Sequence, residues 1–337
     1  MTFAAALALA GGAHADECAK PLSLVTSVDM TPVEDNRAVL IPVTLNGKQK
    51  QLLVDTGGAM TEMSPEVADE LALPRQKTGY QLFDVSGRVS NQYVHADLGL
   101  GTLTAKDMIF MLAPSGQDFG DTQIAGLLAP DILKNYDVDI DFGAGKFNLL
   151  SQDHCEGKVI YWKADVVAVV PIKVMASGHI LLPVTLNGKQ LTAMLDTGAS
   201  NTTLSEPIAE QEFGLKMGTP DTPATGTLAT RSAATTYHHV FDTLAVEGIA
   251  VSHTDIDIMP DFLKQVATEA ATPETGSHLA GRRADETQQA MLLGMNILRH
   301  FHIYIAYKED KIYITPATPP ANAPAAAAPA SATTATH

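Results

Sequence analysis

Leu53-Val54-Asp55-Thr56-Gly57 and Met194-Leu195-Asp196-Thr197-Gly198 decide the reading of this 337-residue chain: Asp-Thr-Gly stands twice behind two apolar residues. A single copy carries little weight, since average amino-acid usage produces it in roughly one chain of this size in fifteen to twenty. Two copies in register within a repeated sequence carry far more. Ahead of them, Pro42-Val43-Thr44-Leu45-Asn46-Gly47-Lys48-Gln49 recurs unchanged, at the same offset, as Pro183-Val184-Thr185-Leu186-Asn187-Gly188-Lys189-Gln190. Behind them, Leu127-Leu128-Ala129-Pro130-Asp131-Ile132-Leu133 matches Leu292-Leu293-Gly294-Met295-Asn296-Ile297-Leu298, and residues 136–149 share the apolar spacing of residues 301–314. Three blocks in one order mark an internal duplication.

Within each half the pattern is that of short strands. The run from Val39 to Leu45 is rich in β-formers, and Asn46-Gly47 is a tight-turn signal before Leu52-Leu53-Val54. Asn187-Gly188 repeats it. Residues 138–141 and 147–150, around Gly143-Ala144-Gly145, read as a second hairpin, matched by residues 303–307 and 312–314. Helical periodicity is confined to residues 65–73, residues 206–213 and the segments beginning at Asp131 and Asn296. The chain is therefore mainly β with short helices.

A strand that runs out into Asp-Thr-Gly sets a carboxylate at the mouth of a sheet. The glycine permits a close turn, and the threonine hydroxyl can bond neighbouring backbone. These motifs resemble those of the retropepsin-like and pepsin-like aspartic peptidases. In that superfamily the Asp-Thr-Gly loop is followed by a flap, then an apolar-apolar-Gly segment beneath the loop, then a helix. Leu292-Leu293-Gly294 carries that segment, whereas Leu127-Leu128 is followed by Ala129, a departure that puts the packing under Asp55 in question. The resemblance covers residues 33–150 and 166–315. It implies two closed retropepsin-like β-barrel lobes related by a pseudo-twofold axis, with Asp55 and Asp196 as an intramolecular catalytic pair. Thr56, Gly57, Thr197 and Gly198 would support the loops. Substrate-binding flaps are expected with one tip at Ser86-Gly87 and a partner near Gly226. The substrate would be a peptide or protein in extended conformation, and the chemistry calls for no cofactor and no metal. Neither loop continues into a hydroxyl residue, since Gly58 and Ala199 follow. Fewer donors to the carboxylates imply higher pKa values and activity at mildly rather than extremely acidic pH.

The formal net charge of −16 argues against a nucleic-acid partner, which needs a basic face. No apolar stretch reaches about 18 residues, so no membrane span is expected. Residues 2–12 form a short apolar run ending in Ala13-His14-Ala15, an A-x-A pattern, although no Lys or Arg precedes it. Residues 1–15 are expected to be a signal peptide and the protein to be exported, periplasmic or secreted. In an oxidising compartment Cys18 and Cys155 form one disulfide; two buried free thiols are the alternative. His238-His239 and His300-Phe301-His302 are the close histidine pairs, but there is no HExxH, and no serine lies in a G-x-S-x-G context.

The expected organisation is a first lobe over residues 16–150, a connector over 151–165 holding Trp162, a second lobe over 166–315, and a Pro/Ala-rich tail over 316–337. Residues 261–289 read as a surface insertion. A monomer follows from two half-sites in one chain. Two other readings stand beside the endopeptidase: a non-catalytic peptide-binding module that keeps the fold, and an enzyme built by intermolecular pairing of like halves.

Overall fold

Asn46-Gly47 and Asn187-Gly188 turn with positive φ at both residues, 48° and 81° in the first copy and 43° and 81° in the second. This turn matches the twist of the strands on either side. The structure, a computed structural model, describes residues 18, 20–33, 37–83, 88–115, 119, 123–228, 234–260 and 290–317. The expected signal peptide, the insertion at 261–289 and the tail beyond 317 lie outside them.

In the first half the strands are β1 (Leu24–Asp29), β2 (Thr31–Pro32), β3 (Val39–Leu45), β4 (Lys48–Val54), β5 (Glu62–Met63), β6 (Gln76–Phe83), β7 (Val89–Leu100), β8 (Leu103–Leu112), β9 (Ile124–Leu128), β10 (Asp137–Asp141) and β11 (Lys146–Leu150). The second half repeats them as β12 (Ala168–Pro171), β13 (Lys173–Val174), β14 (Ile180–Leu186), β15 (Lys189–Leu195), β16 (Thr203–Ser205), β17 (Ala224–Leu228), β18 (Ala234–Val246), β19 (Ile249–Met259), β20 (Met291–Leu293), β21 (Phe301–Ala306) and β22 (Lys311–Pro316). One sheet runs β2-β3-β4-β9-β5-β8-β7-β6 and closes through β3–β7 pairing. Its counterpart runs β13-β14-β15-β20-β16-β19-β18-β17 and closes through β14–β18. Each half is thus a closed barrel.

Alternation fills the barrels. Ile41, Leu45, Leu52 and Val54 are fully buried in the first, and Ile180, Leu186 and Leu195 in the second. Each such side chain contributes about 1.5–3 kcal/mol by leaving water, which fixes strand register because a one-residue slip would expose the whole set.

The helices are short. Ser64 caps the first, accepting from the Val67 N–H at 3.1 Å. It ends at Glu70 rather than Leu73, because Ala72 turns left-handed at φ 50°. The helix Glu206–Phe213 spans its expected residues, and the helices Pro130–Leu133 and Met295–Leu298 each begin one residue early.

The late hairpins of the two halves leave their barrels and join. A third, six-stranded sheet runs β1-β11-β10-β21-β22-β12, with β10 and β21 antiparallel at its centre and Ile140 opposite Ile303. The order reads the same from either end once the halves are exchanged, so the pseudo-twofold passes between β10 and β21. The connector lies over one face of this sheet. Trp162 stacks on His302 with ring centroids 3.9 Å apart, and its Nε1 donates to Thr315 Oγ1 at 3.1 Å. His154 Nε2 meets Asp137 Oδ2 at 2.5 Å, and His302 Nε2 meets Asp139 Oδ1 at 2.5 Å. The Tyr161 hydroxyl and the Asn148 amide also donate to Asp139. Cys18 and Cys155 are disulfide-bonded with Cα atoms 5.6 Å apart, tying the start of the described chain to the connector.

Burial raises Asp55, Asp131, Asp137 and Asp196 above the ordinary 3.8. Burial pushes His154 down, but hydrogen bonds to Asp137 and the Cys155 carbonyl leave it above 6.5. All five bind protons more tightly folded than unfolded, so their contribution is full at low pH and is lost as pH rises through the folded values. Glu70, Asp153 and Glu156 run the other way, but they are screened by solvent at the surface. The melting temperature is expected to fall by several degrees between about pH 4.5 and about pH 8. Calorimetric melts across that range check it; a rising midpoint would show that the buried carboxyls fold ionised.

Candidate active site

Two parallel pairings aim the Asp-Thr-Gly loops. β4 runs beside β9, and Asp55 N–H donates to Leu128 O at 3.0 Å. β15 runs beside β20, and Asp196 N–H donates to Leu293 O at 3.1 Å. Each aspartate therefore leaves its strand at the same level as the segment beneath it.

The loops meet through their threonines. Thr56 N–H donates to Thr197 Oγ1 at 3.1 Å and Thr197 N–H to Thr56 Oγ1 at 3.0 Å. The hydroxyls donate onward, Thr56 to Leu195 O at 3.0 Å and Thr197 to Val54 O at 2.7 Å. Both threonines are fully buried. Thr197→Val keeps the volume but leaves the Thr56 N–H and Val54 carbonyl without these partners, a loss of about 2 kcal/mol. Urea unfolding is expected to show that loss, with Thr197→Ser restoring most of it.

The glycines keep the space between the carboxyls open. A Cβ on Gly57 would overlap the Asp196 carboxyl, and one on Gly198 would overlap that of Asp55. The two carboxyls hydrogen-bond each other. Asp55 is half-buried and Asp196 is 9% exposed. Backbone N–H groups supply further donors: Gly57 at 3.0 Å and Gly58 to Asp55, Gly198 at 2.8 Å and Ala199 at 3.1 Å to Asp196. Burial raises both acids; for Asp196 the neighbouring Asp55 charge adds to it, carrying it well above the usual carboxylate range. The arrangement can hold one proton between two carboxyls.

Ala129, the departure noted in the sequence, is accommodated with glycine above it in the loop. It is buried beneath Gly58, where a Cβ would come within 3.3 Å of its own Cβ. In the second half the loop residue is Ala199 and the residue beneath is Gly294, where a Cβ would meet Asn201 backbone at 2.5 Å. The backbone pattern is otherwise the same. Ala129 N–H donates to Thr61 Oγ1 at 3.1 Å and Gly294 N–H to Thr202 Oγ1 at 3.0 Å. Thr61 and Thr202 are in turn held by Asp131 and Asn296, at 2.7 and 2.8 Å. This supporting quartet was not singled out from sequence, although its members recur at matching positions of the repeat.

Ser86 and Gly87 stand between β6 and β7 in the sequence and lie outside the described residues. Gly226 lies within β17, opposite Thr236 of β18, rather than at a tip; residues 229–233, which join those strands, are also outside. Of the close histidines, His302 is engaged by Asp139, and His238 faces Asp255 and Asp257 at 3.6 and 3.8 Å. No group of three or more metal-ligating side chains occurs among the described residues.

Paired Asp-Thr-Gly loops at the meeting of two six-stranded barrels define the aspartic-peptidase architecture. The chain belongs to the aspartyl protease family, whose model matches residues 41–131 and 182–297. Among solved structures it is similar to an aspartic proteinase from Irpex lacteus, at 13% identity over 86% of this chain and 97% of that one, with a TM-score of 0.49. It is similar also to Basic 7S globulin from soybean, at 10% identity over 88% and 97%, TM-score 0.49. A retropepsin-like aspartic protease from Rickettsia conorii matches at 18% identity over 45% of this chain and 95% of that one, TM-score 0.31. No curated protein sequence matches the chain.

Proposed function

We propose that the protein is a single-chain endopeptidase in which Asp55 and Asp196 activate a water between them. The observation that carries this is the contact of the two loops: one carboxyl from each barrel, hydrogen-bonded together and locked by crossed threonine bonds. The ionised carboxyl removes a proton from the water as it attacks the scissile carbonyl, and the protonated one donates to the carbonyl oxygen. The intermediate is a tetrahedral diol, without a covalent enzyme adduct. The lobes are residues 16–150 and 166–315, and an extended peptide would lie across the loops beneath the β6–β7 and β17–β18 hairpins. The Cys18–Cys155 disulfide supports export to an oxidising compartment. No helix among the described residues is long and apolar enough to cross a membrane.

Hydrolysis of a diverse peptide library between about pH 3 and pH 7 tests the reading, with ¹⁸O-labelled water as solvent. Internal cleavage with one labelled oxygen in each new carboxyl is expected, with a maximum at mildly acidic pH. A maximum below about pH 3 would contradict the sparse donor set at the dyad. No cleavage at any pH would favour the peptide-binding module.

A further inference from the structure

The duplication fails at His179. The matching place ahead of β3 is held by Ala38, while His179 stands directly ahead of β14 in a hairpin of the second half. That hairpin is pressed against the first half. Gly178, at φ 91°, sits where a Cβ would come within 2.6 Å of Pro130 Cβ, so only glycine allows this approach. Pro130 opens the helix beneath the Asp55 loop.

The imidazole thus reaches the opposite lobe's loop. Its Nε2 lies 3.1 Å from Gly58 O and its Nδ1 3.1 Å from Ser177 Oγ. A carbonyl can only accept, so Nε2 carries a hydrogen; Nδ1 accepts from Ser177 when the ring is neutral and donates to it when charged. Gly58 is engaged through both of its backbone polar groups, its N–H by the Asp55 carboxylate and its carbonyl by His179. Among the ionisable groups near this hairpin are Asp55 in the facing loop with its partner Asp196, Lys173 on β13, and Asp131, which follows Pro130 and whose Oδ1 accepts from Thr61. Burial is the largest influence on both carboxyls and raises both. On Asp55 the imidazole's charge opposes that rise as the smallest contribution, after the hydrogen bonds from Asp196, Gly57 and Gly58, whereas the charge acting on Asp196 is that of Asp55 itself.

We propose that His179 is a positioning residue that makes the two aspartates inequivalent, holding Asp55 as the ionised member that takes the water proton and leaving the shared proton on Asp196. This rests on the endopeptidase reading above. In attack, a water O–H bond breaks and its proton goes to Asp55. The new O–C bond forms as the carbonyl π electrons move to oxygen, which takes the Asp196 proton. In collapse the C–N bond breaks, Asp55 gives its proton to the amine nitrogen, and one diol hydroxyl returns a proton to Asp196.

Two substitutions separate the hydrogen bond from the charge. His179→Phe removes both; kcat is expected to fall about tenfold with KM little changed, and the acid limb of the kcat/KM profile to rise by about one pH unit. His179→Gln keeps a donor for Gly58 O but carries no charge. It is expected to recover most of kcat while its acid limb stays raised. Carboxyl ¹³C titration by NMR, assigned with the Asp55→Asn and Asp196→Asn proteins, should show the Asp55 midpoint raised in both His179 variants. Profiles and titrations superimposable on the wild type would overturn the proposal. If the wild type cleaves no peptide, the endopeptidase reading falls, yet the NMR titration still decides whether His179 sets the inequivalence.

Discussion

Asparagine at position 55 or at position 196 is expected to remove the proposed peptide hydrolysis, each single change lowering kcat by at least about 10³-fold. An amide can neither take the proton from the attacking water nor give one to the carbonyl oxygen, and each role is worth about 10²–10⁴-fold. The two carboxyls hydrogen-bond each other, so removing one also changes the protonation of the other. The double variant is therefore expected to be scarcely worse than either single one, because groups acting as a unit are not additive. Steady-state kinetics on any cleaved library peptide, with the protein monomeric by light scattering, reads this out. Activity surviving either change at more than about a tenth of wild type would sink the shared dyad. Recovery of activity on mixing the two single variants would point instead to pairing between chains.

Removing the disulfide has the second largest expected effect. The bond closes a loop of 137 residues, for which the chain-entropy argument gives about 5 kcal/mol as an upper figure and measured cases about 2–4 kcal/mol. More than chain entropy is at stake here. Cys155 follows His154, which pairs with Asp137, and Cys155 N–H donates to Lys20 O at 3.3 Å. Loosening Cys155 loosens the connector over buried acids that must otherwise be hydrated. The Cys18→Ser/Cys155→Ser protein is expected to lose about 3–5 kcal/mol in urea unfolding at neutral pH, and the oxidised wild type to lose a similar amount on reduction. A double-serine protein within about 1 kcal/mol of wild type would show that the Asp–His pairs hold the connector unaided.

Much of this was legible in the residues. The Asn-Gly turns, the strands, the helix positions and the paired loops follow from patterns that act over a few neighbours and were read twice because the sequence repeats, whereas the closed barrels came from the family resemblance that the loops carry. What was not legible depends on partners far along the chain. Asp137-Val138-Asp139-Ile140-Asp141 alternates like a strand with one wet face, yet Asp137 and Asp139 are fully buried. Their partners, His154 and His302, sit in the connector and in the other half, and nothing local announces them. The β10–β21 pairing is equally silent, since alternation specifies that a strand forms and not which strand lies beside it. His179 carries no repeat signal because its counterpart is Ala38. Ala129, read as a weakness, is balanced by Gly58, a relation visible only once the loop is seen lying on the segment below.

The central sheet also sets what would happen if the chain were cut. A break in the connector after Trp162 would leave two fragments, each ending a three-stranded ribbon in a bare edge, β10 on one and β21 on the other. Each edge is matched in register and apolar pattern to the other fragment, so the halves carry their own instructions for reassembly. The protein is in this respect already divided for splitting, since the two pieces would regain the pair of carboxyls only by finding each other.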